Sequence, residues 1–559
     1  MPLRHNGMNL FEKKAEPGDL IVMAGGRVGK DGIHGATFSS EALDPASPVT
    51  AVQIGDPITQ KKLSDVIVKE ARDLGLYRSI TDNGAGGISC SVAEMAKECN
   101  GCHVFLDKVP LKYHGMAPWE IWISESQERM TLAIPKEKIT EFMELVKRRE
   151  VEATVIGKFT DTGRCVVEYE GDMVMDIDLD FLHEGLPKKY LKTTPVKKLY
   201  QEPGTVCPDR LDQTILSMLQ RKNICSKEFI STQYDHTVQG GHVLGPVQGK
   251  GRVQAPASLT KVVLDSEKGV GLSQGIFPLY SEIDPYFMAA AGIDTAIRGL
   301  IAMGVSLDKI ALLDNFCWCS SDEPERLWQL KQAAHGCHDF AIAFGTPFIS
   351  GKDSMFNDFS GFDSDNNPVR VSVPPTLLIS SIGIHHDVAK AVSIDAKLEG
   401  DVVYVIGETL PELGGSEYFA FLGSTGNSVP KLDAKKAVSR YERLKTAIAK
   451  EMVASAYPVS HGGLGIALAK VAIAGDIGME LTIHSGLRPD YFLFSESLGR
   501  FIVTVSRDDR KEFEELLGDD AVMLGTVCGR ALRISGEQVI CDLSVEDLEA
   551  AYKSPFRRY

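Results

Sequence analysis

Apolar residues at Val92, Met95, Ala96 and Cys99 recur at i, i+3, i+4 and i+7, the spacing of one buried stripe on a helix. Leu464, Leu468 and Val471 mark a second helix of the same kind. A glycine pair stands just before each stripe, Gly86-Gly87 and Gly462-Gly463, and these are two of four landmarks that recur in one order. Gly18-Asp19-Leu20-Ile21-Val22 returns as Gly400-Asp401-Val402-Val403-Tyr404. Ser124-Glu125-Ser126 returns as Ser495-Glu496-Ser497, and Val155-Ile156-Gly157 as Met523-Leu524-Gly525. The spacing drifts from 382 residues at Gly18 and Gly400 to 368 at Gly157 and Gly525, as short loop deletions would make it drift.

Each copy reads as strand, Gly-rich loop, helix, glycine pair, helix, strand, strand, helix and strand, with Gly75 ending the first helix of copy one. The order predicts an α/β class built of sheet modules. The expected divisions are residues 17–186 for copy one, a polar, proline-containing linker over 187–204, a sheet-rich domain over 205–396 and copy two over 397–545. Only residues 1–17 precede copy one, so the pattern predicts an incomplete first module followed by a complete second one, the missing part supplied by another chain or lost from this one.

A chain of 559 residues accommodates about three or four domains. Eleven cysteines, an odd number, with no secretory leader and no long apolar run, predict free thiols in a cytoplasmic protein without a membrane span. The formal charge of −16 argues against nucleic acid as a partner. A phosphorylated ligand would meet that field too, and would need metal ions, backbone N–H nests or helix N-termini to offset it.

Further strings carry a resemblance: Gly29-Lys30-Asp31-Gly32-Ile33-His34-Gly35-Ala36, Gln53-Ile54-Gly55-Asp56-Pro57, Asp82-Asn83-Gly84-Ala85-Gly86-Gly87, Glu125-Ser126-Gln127-Glu128-Arg129-Met130, Gly351-Lys352-Asp353-Ser354 and Gly414-Gly415-Ser416-Glu417-Tyr418. In this order, across residues 17–545, the chain resembles the phosphoribosylformylglycinamidine synthases of the aminoimidazole ribonucleotide (AIR) synthetase-like superfamily. The resemblance implies a duplicated AIR synthetase-like architecture and ATP-dependent conversion of formylglycinamide ribonucleotide to its amidine. The amide oxygen is phosphorylated, and glutamine-derived ammonia displaces phosphate. Another superfamily ATPase and a non-catalytic nucleotide-binding scaffold are the competing readings.

The resemblance implies Asp82 as a Mg²⁺ ligand; the alternative is an aspartate that orders its turn or caps the next helix. It implies substrate contacts at Gln53, Glu125, Ser126, Gln127 and Ser354, and ATP contacts at Asp314, Gly351 and Lys352. Asp314 ends the apolar run Ile310-Ala311-Leu312-Leu313 and is expected at the carboxyl end of a strand. Lys352 replaces the asparagine metal ligand of smaller family members; an ammonium pairs with phosphate but does not coordinate Mg²⁺. His461 before the second glycine pair implies that copy two has lost the metal role.

Gly351-Lys352-Asp353-Ser354 has the wrong spacing for a P-loop, whereas the glycine-rich loop over 25–35 is open to two readings, a phosphate cradle or a plain connection. Cys99-Asn100-Gly101-Cys102-His103 matches a haem-attachment string, and Cys317, Cys319, His335, Cys337 and His338 could gather around zinc, but structural thiols are the favoured reading of both. No glutaminase nucleophile is visible, so the expected partners are a glutamine amidotransferase subunit, a small bridging subunit and an N-terminal synthase chain. The family's catalytic histidines are expected in that N-terminal part, which would pair with residues 205–396 in a shared barrel-like core; no catalytic base is assigned here.

Overall fold

The computed structural model describes residues 4–5, 8–9, 12–38, 55–204, 206–234, 236–237 and 239–558. The chain forms two compact units, residues 1–190 with 357–371, and 191–356 with 372–559.

The first unit holds a seven-stranded sheet: β1 Leu20–Gly25, β2 Ser79–Asp82, β3 Cys102–Phe105, β4 Arg129–Ile134, β5 Ala153–Phe159, β6 Arg164–Tyr169 and β7 Asp172–Asp178. Their spatial order is β2-β4-β1-β5-β3-β6-β7. Helices α1 Pro57–Val66, α2 Gly87–Cys99 and α3 Ile139–Arg148 cover it. The stripe read from sequence on α2 is the one that is buried, with Val92, Met95 and Ala96 fully enclosed.

The second unit contains two large sheets besides the two-stranded pair Val247–Gln248 and Val253–Gln254. A six-stranded sheet comprises β8 His242–Leu244, β9 Ala257–Thr260, β10 Gly269–Ile276, β11 Ile310–Cys317, β12 Phe348–Ser354 and β13 Thr376–His385, in the order β8-β9-β10-β13-β11-β12. A second seven-stranded sheet follows: β14 Val402–Ile406, β15 Val453–Pro458, β16 Met479–Thr482, β17 Phe501–Val505, β18 Ala521–Val527, β19 Ala531–Ser535 and β20 Val539–Ser544. Its order, β15-β17-β14-β18-β16-β19-β20, repeats that of the first unit strand for strand.

The repeat extends to irregularities. β1 shifts register against β5 between Ile21 and Val22, and β14 shifts against β18 between Val403 and Tyr404. Gly157 and Gly525 lie at these shifts because the neighbouring strand leaves no room for a side chain: a Cβ would come within 2.2 Å of the His103 carbonyl oxygen, or 2.0 Å of that of Glu480. Each copy also carries three strands beyond the four in the sequence pattern, β2, β6 and β7 in the first and β15, β19 and β20 in the second. β7 is an edge strand largely exposed on both faces, so it has no alternation of apolar and polar residues to read.

Helix α4, Pro285–Ala302, is apolar nearly all round and lies between the six-stranded sheet and the second copy, against α5 Pro324–Phe344, α6 Ala434–Ala449 and β15. Its two charged residues, Asp294 and Arg298, are fully buried. Arg298 donates from Nε to Asp294 Oδ2 at 2.6 Å and from Nη1 to the carbonyls of Val459 and Arg500 at 2.6 and 2.9 Å. Asp294 also accepts from Tyr441 Oη and from the Gly499 N–H. The linker runs without helix or strand, yet Asn427 bonds both the N–H and the carbonyl of Tyr200. Among the described residues no helix is long and apolar enough to cross a membrane.

Two outcomes follow. Asp294→Ala strands Arg298 in the core and should lower stability by about 3–5 kcal/mol in urea unfolding. His385 is buried, and its Nδ1 accepts the Asp387 N–H at 3.2 Å, so Nε2–H donates to the Met303 carbonyl at 3.0 Å and the ring is neutral. Burial holds its pKa below the usual value. The unfolded chain therefore takes up a proton before the folded one, and stability present above a pH of about 6.5 is lost as the pH falls towards and through the lower folded value. Unfolding midpoints measured from pH 7.5 to 5.5 should fall less steeply in His385→Gln than in the natural protein.

Candidate active site

The recurring Ser-Glu-Ser string is the centre of a clasp. In copy one Arg129, buried at 3 % exposure, donates from Nε to the Ser126 carbonyl at 2.6 Å and from Nη2 to the Ser124 carbonyl at 2.5 Å. Glu125 accepts the backbone N–H groups of Gly86 at 3.1 Å and Ala36 at 2.9 Å. Copy two repeats this: Arg500 donates to the carbonyls of Ser497 and Ser495, at 2.9 and 2.6 Å. Glu496 accepts from Gly462 and Glu417, at 2.8 and 3.0 Å, and from Tyr280 Oη at 2.7 Å. Burial pushes Arg129 down to about 10 and Arg500 to about 9, so both remain cations at neutral pH.

The glycine pairs are required by the same clasp. Gly86, Gly87, Gly462 and Gly463 all have positive φ, and a Cβ on Gly87 would lie 1.9 Å from the Ser124 carbonyl oxygen. Ser126 Oγ accepts the Gly29 N–H at 3.0 Å, as Ser497 Oγ accepts that of Leu410. Glu125 and Ser126, both expected as substrate contacts, therefore hold backbone in place, and their equivalents do so in copy two.

What differs between copies is what the clasp presents. Gln127 and Glu128 of copy one correspond to Leu498 and Gly499. Gln127 donates from Nε2 to the Glu125 carbonyl at 3.1 Å and is half-buried, whereas Leu498 is packed away. Gln127 and Glu128 are the residues shared by two cavities on helix α1. One, of about 340 Å³, includes Gln60, Asp82 and Asn83; the other, of about 450 Å³, includes Gly25, Gly26, Arg27, Asp56, Lys62 and Lys112. Asp82 ends β2 with an exposed side chain, and its Oδ1 accepts the Gly84 N–H at 2.9 Å, the turn-ordering role that was the alternative for it. Among the described residues no three His, Cys, Asp or Glu side chains gather as a metal site.

The equivalent of Asp82 is Pro458, and that of His461 is Ala85, since Val459 N–H bonds the Arg500 carbonyl as Asn83 N–H bonds that of Arg129. Copy two thus lacks the carboxylate, although proline rather than histidine takes its place. Beside Gly407, the counterpart of Gly25, Arg440 bonds Asp520 through Nε and Nη2 and the Gly499 carbonyl through Nη1. Copy two keeps a cavity of about 720 Å³ at this place, with Arg440, Lys435, Lys436 and Asp520 in its wall.

Gln53 lies outside the described residues. The Gly55-Asp56-Pro57 string next to it starts a helix: Asp56 caps α1 by accepting from the N–H groups of Ile58 and Thr59, with Pro57 in the first turn. Residues 25–35 contribute Gly25, Gly26 and Arg27 to the larger cavity, where Arg27 pairs with Glu152.

The other expected residues lie in the second unit, on neighbouring strands. Asp314 is not at a strand end. β11 runs on to Cys317 because residues 315–317 pair with β12 on one side and β13 on the other. Asp314 faces Gly351 across the parallel pair, and a Cβ on Gly351 would lie 2.6 Å from its Oδ1. Burial raises the Asp314 pKa. Lys352 reaches Ser354 Oγ and the Asp353 carbonyl at 3.3 Å, on a strand rather than a phosphate loop. Cys99 and Cys102 are both buried, and Cys102 Sγ lies 3.3 Å from Cys165 Sγ across β3 and β6, so neither thiol is presented to a haem.

Comparison with known proteins agrees with this arrangement. The family model described as AIR synthase related protein, C-terminal domain, matches residues 16–170 and 399–535, and the corresponding N-terminal domain model matches residues 259–372. The phosphoribosylformylglycinamidine synthase subunit PurL of Methanothermobacter marburgensis is 35 % identical over 97 % of this chain and 74 % of its own length. That of Methanocaldococcus jannaschii is 34 % identical over 97 % and 73 %. Among solved structures, T. maritima PurL complexed with FGAR (formylglycinamide ribonucleotide) superposes with a TM-score of 0.68 at 21 % identity, covering 94 % of this chain and 74 % of that one. The same protein complexed with ATP gives 0.64 at 20 %, covering 94 % and 73 %. By sequence and by fold, the chain belongs to the PurL family of phosphoribosylformylglycinamidine synthase subunits.

Proposed function

We propose that this chain carries out the ATP-dependent amidation of formylglycinamide ribonucleotide in purine biosynthesis, in the cytoplasm, with ammonia displacing phosphate from an activated amide oxygen. One observation carries the reading: two modules share one clasp, and the first turns Asp82, Gln127 and Glu128 towards its cavities where the second has Pro458, Leu498 and Gly499. The solved relatives complexed with FGAR and with ATP support it.

Gln127 offers an amide that reads the substrate without adding charge, and Glu125 and Ser126 act through it by fixing the loop. Gln53 is a further proposed substrate contact in the first unit; in the second unit, taken by itself, Ser354 is a proposed substrate contact and Asp314, Gly351 and Lys352 are proposed nucleotide contacts. A single exposed carboxylate at Asp82 suits Mg²⁺, which keeps several waters and takes one or two carboxylates together with phosphate oxygens. The ion would neutralise phosphate charge. Lys352 contributes positive charge and no coordination.

The six-stranded sheet supports the partner reading. Helices cover one face, while the other exposes Leu272, Ile276, Ile382 and Ile384 on paired strands, Leu272 opposite Ile382. An apolar sheet face of this kind requires a covering layer. An N-terminal synthase domain bearing its own sheet is the proposed cover, with a glutamine amidotransferase and a small bridging subunit delivering ammonia.

The test is ADP and amidine formation from formylglycinamide ribonucleotide, ammonia, ATP and Mg²⁺, using the chain alone and mixed with a candidate N-terminal fragment. Turnover should appear on mixing. Gln127→Ala and Asp82→Asn should each lower kcat/KM by about tenfold or more, a loss of roughly 1.4 kcal/mol in transition-state stabilisation. Leu272→Asp should abolish the gain from mixing while leaving the chain folded. Nucleotide binding without turnover in any mixture would favour a scaffold.

A further inference from the structure

The chain leaves the clasp through Glu128, whose φ of +58° lies in the left-handed region that opposes any residue with a Cβ. At the same point copy two has Gly499, with φ +71°. The backbone is shared and the glycine is the residue it favours. Glu150 and Glu451 also take positive φ, but each follows the end of a helix, α3 or α6, where a left-handed residue closes the last turn. Glu128 closes no helix; it precedes β4.

Its carboxylate is also distinct. Glu150 and Glu152, on the same cavity, are paired with Lys62 and Arg27, whereas among the described residues Glu128 has neither a hydrogen bond nor an ion pair through its side chain. Its Oε1 lies over Gly55, 3.6 Å from where a Cβ of that glycine would be, and Glu128 borders both cavities. A strained, half-buried, unpaired carboxylate contributes nothing to the fold that a glycine would not. Such strain persists where a ligand uses the side chain.

We propose that Glu128 contacts the substrate directly, its carboxylate accepting both hydroxyls of the ribose cis-diol. A carboxylate repels phosphate, so it must face a donor-rich part of a ribonucleotide, and acidic residues hold ribose hydroxyls in this way in dinucleotide sites. The inference rests on the reading of the copy-one cavities as the place of formylglycinamide ribonucleotide.

The experiment is isothermal titration calorimetry of the full chain with formylglycinamide ribonucleotide and with its 2′-deoxy analogue, alongside thermal unfolding, for the natural protein, Glu128→Gln and Glu128→Gly. The natural protein should bind the ribonucleotide about tenfold more tightly than the deoxy analogue, the value of a charged hydrogen bond. Both variants should bind the two ligands equally and weakly. Glu128→Gly should also melt about 2–4 °C higher, while Glu128→Gln, which keeps the strained backbone, should not. A variant that retains the natural discrimination overturns the proposal and leaves the site reading intact. An unchanged midpoint for Glu128→Gly removes the strain argument and overturns it too. Absence of binding by the natural protein overturns the site reading and this inference together.

Discussion

A buried arginine bound to the carbonyls of its own loop is the constraint on which each module depends. A cation removed from water must be solvated by something else, and Arg129 and Arg500 are solvated by the carbonyls of residues three and five positions upstream in the preceding loop. The planar fork matters, because one side chain must reach two carbonyls that diverge from a turn; a lysine ammonium at that depth would satisfy one and lose the geometry of the other. Once the carbonyls are tied down, the intervening glutamate is forced inward. There it meets the N–H of the first glycine of the pair before the next helix, and that of residue 36 or 417. Strand, loop and helix N-terminus are thereby locked through two side chains, and the position after the second serine is left as the place where modules can differ.

This division explains what was legible in the sequence. Glycine landmarks repeat because the space for a Cβ is absent at them, a requirement that survives when every surrounding side chain changes; Gly157 and Gly525 meet the neighbouring backbone in the same way. Buried stripes such as Val92, Met95 and Ala96 were legible for a similar reason, since a helix of fixed period has one inner face. The strings that resemble a family include this loop, but a linear string does not show which of its residues hold backbone in place. Glu125 and Ser126 look like ligand groups in a linear string, and their partners, Gly86, Ala36 and Gly29, are remote in sequence. Comparison of the two copies was the available signal: a residue retained in both is a candidate for architecture, and one that differs is a candidate for chemistry.

Asp314 illustrates a second limit. The run Ile310-Ala311-Leu312-Leu313 stops being apolar at Asp314, and alternation in a half-buried strand makes that look like an end. The strand continues because both neighbours continue, and hydrogen bonding to β12 and β13 outweighs the change in side-chain polarity. Edge strand β7 failed to register for the converse reason, having ladder partners on one side and few buried side chains. Pairing is non-local, so a pattern read along one strand cannot reveal it.

The distribution of charge links the module to its chemistry. With a formal charge of −16, the chain opposes a phosphorylated ligand, and the basic side chains around the larger cavity do little to reverse this. Arg27 is paired with Glu152, Lys62 with Glu150 and Lys112 with Asp31, so each local cation is already matched by an anion. Lys62 and Glu150 are 41 % and 79 % exposed, and surface pairs of this kind hold little energy and exchange readily for a stronger partner. A phosphate entering the cavity can therefore take a lysine from its carboxylate at small cost, whereas a neutral molecule gains nothing by doing so. The lining sets three cations, Arg27, Lys62 and Lys112, against four carboxylates, Asp56, Glu128, Glu150 and Glu152, so the empty cavity is net negative and the ligand's own charge must create the binding field. In an acidic protein, that selects for phosphate without holding a permanent positive patch.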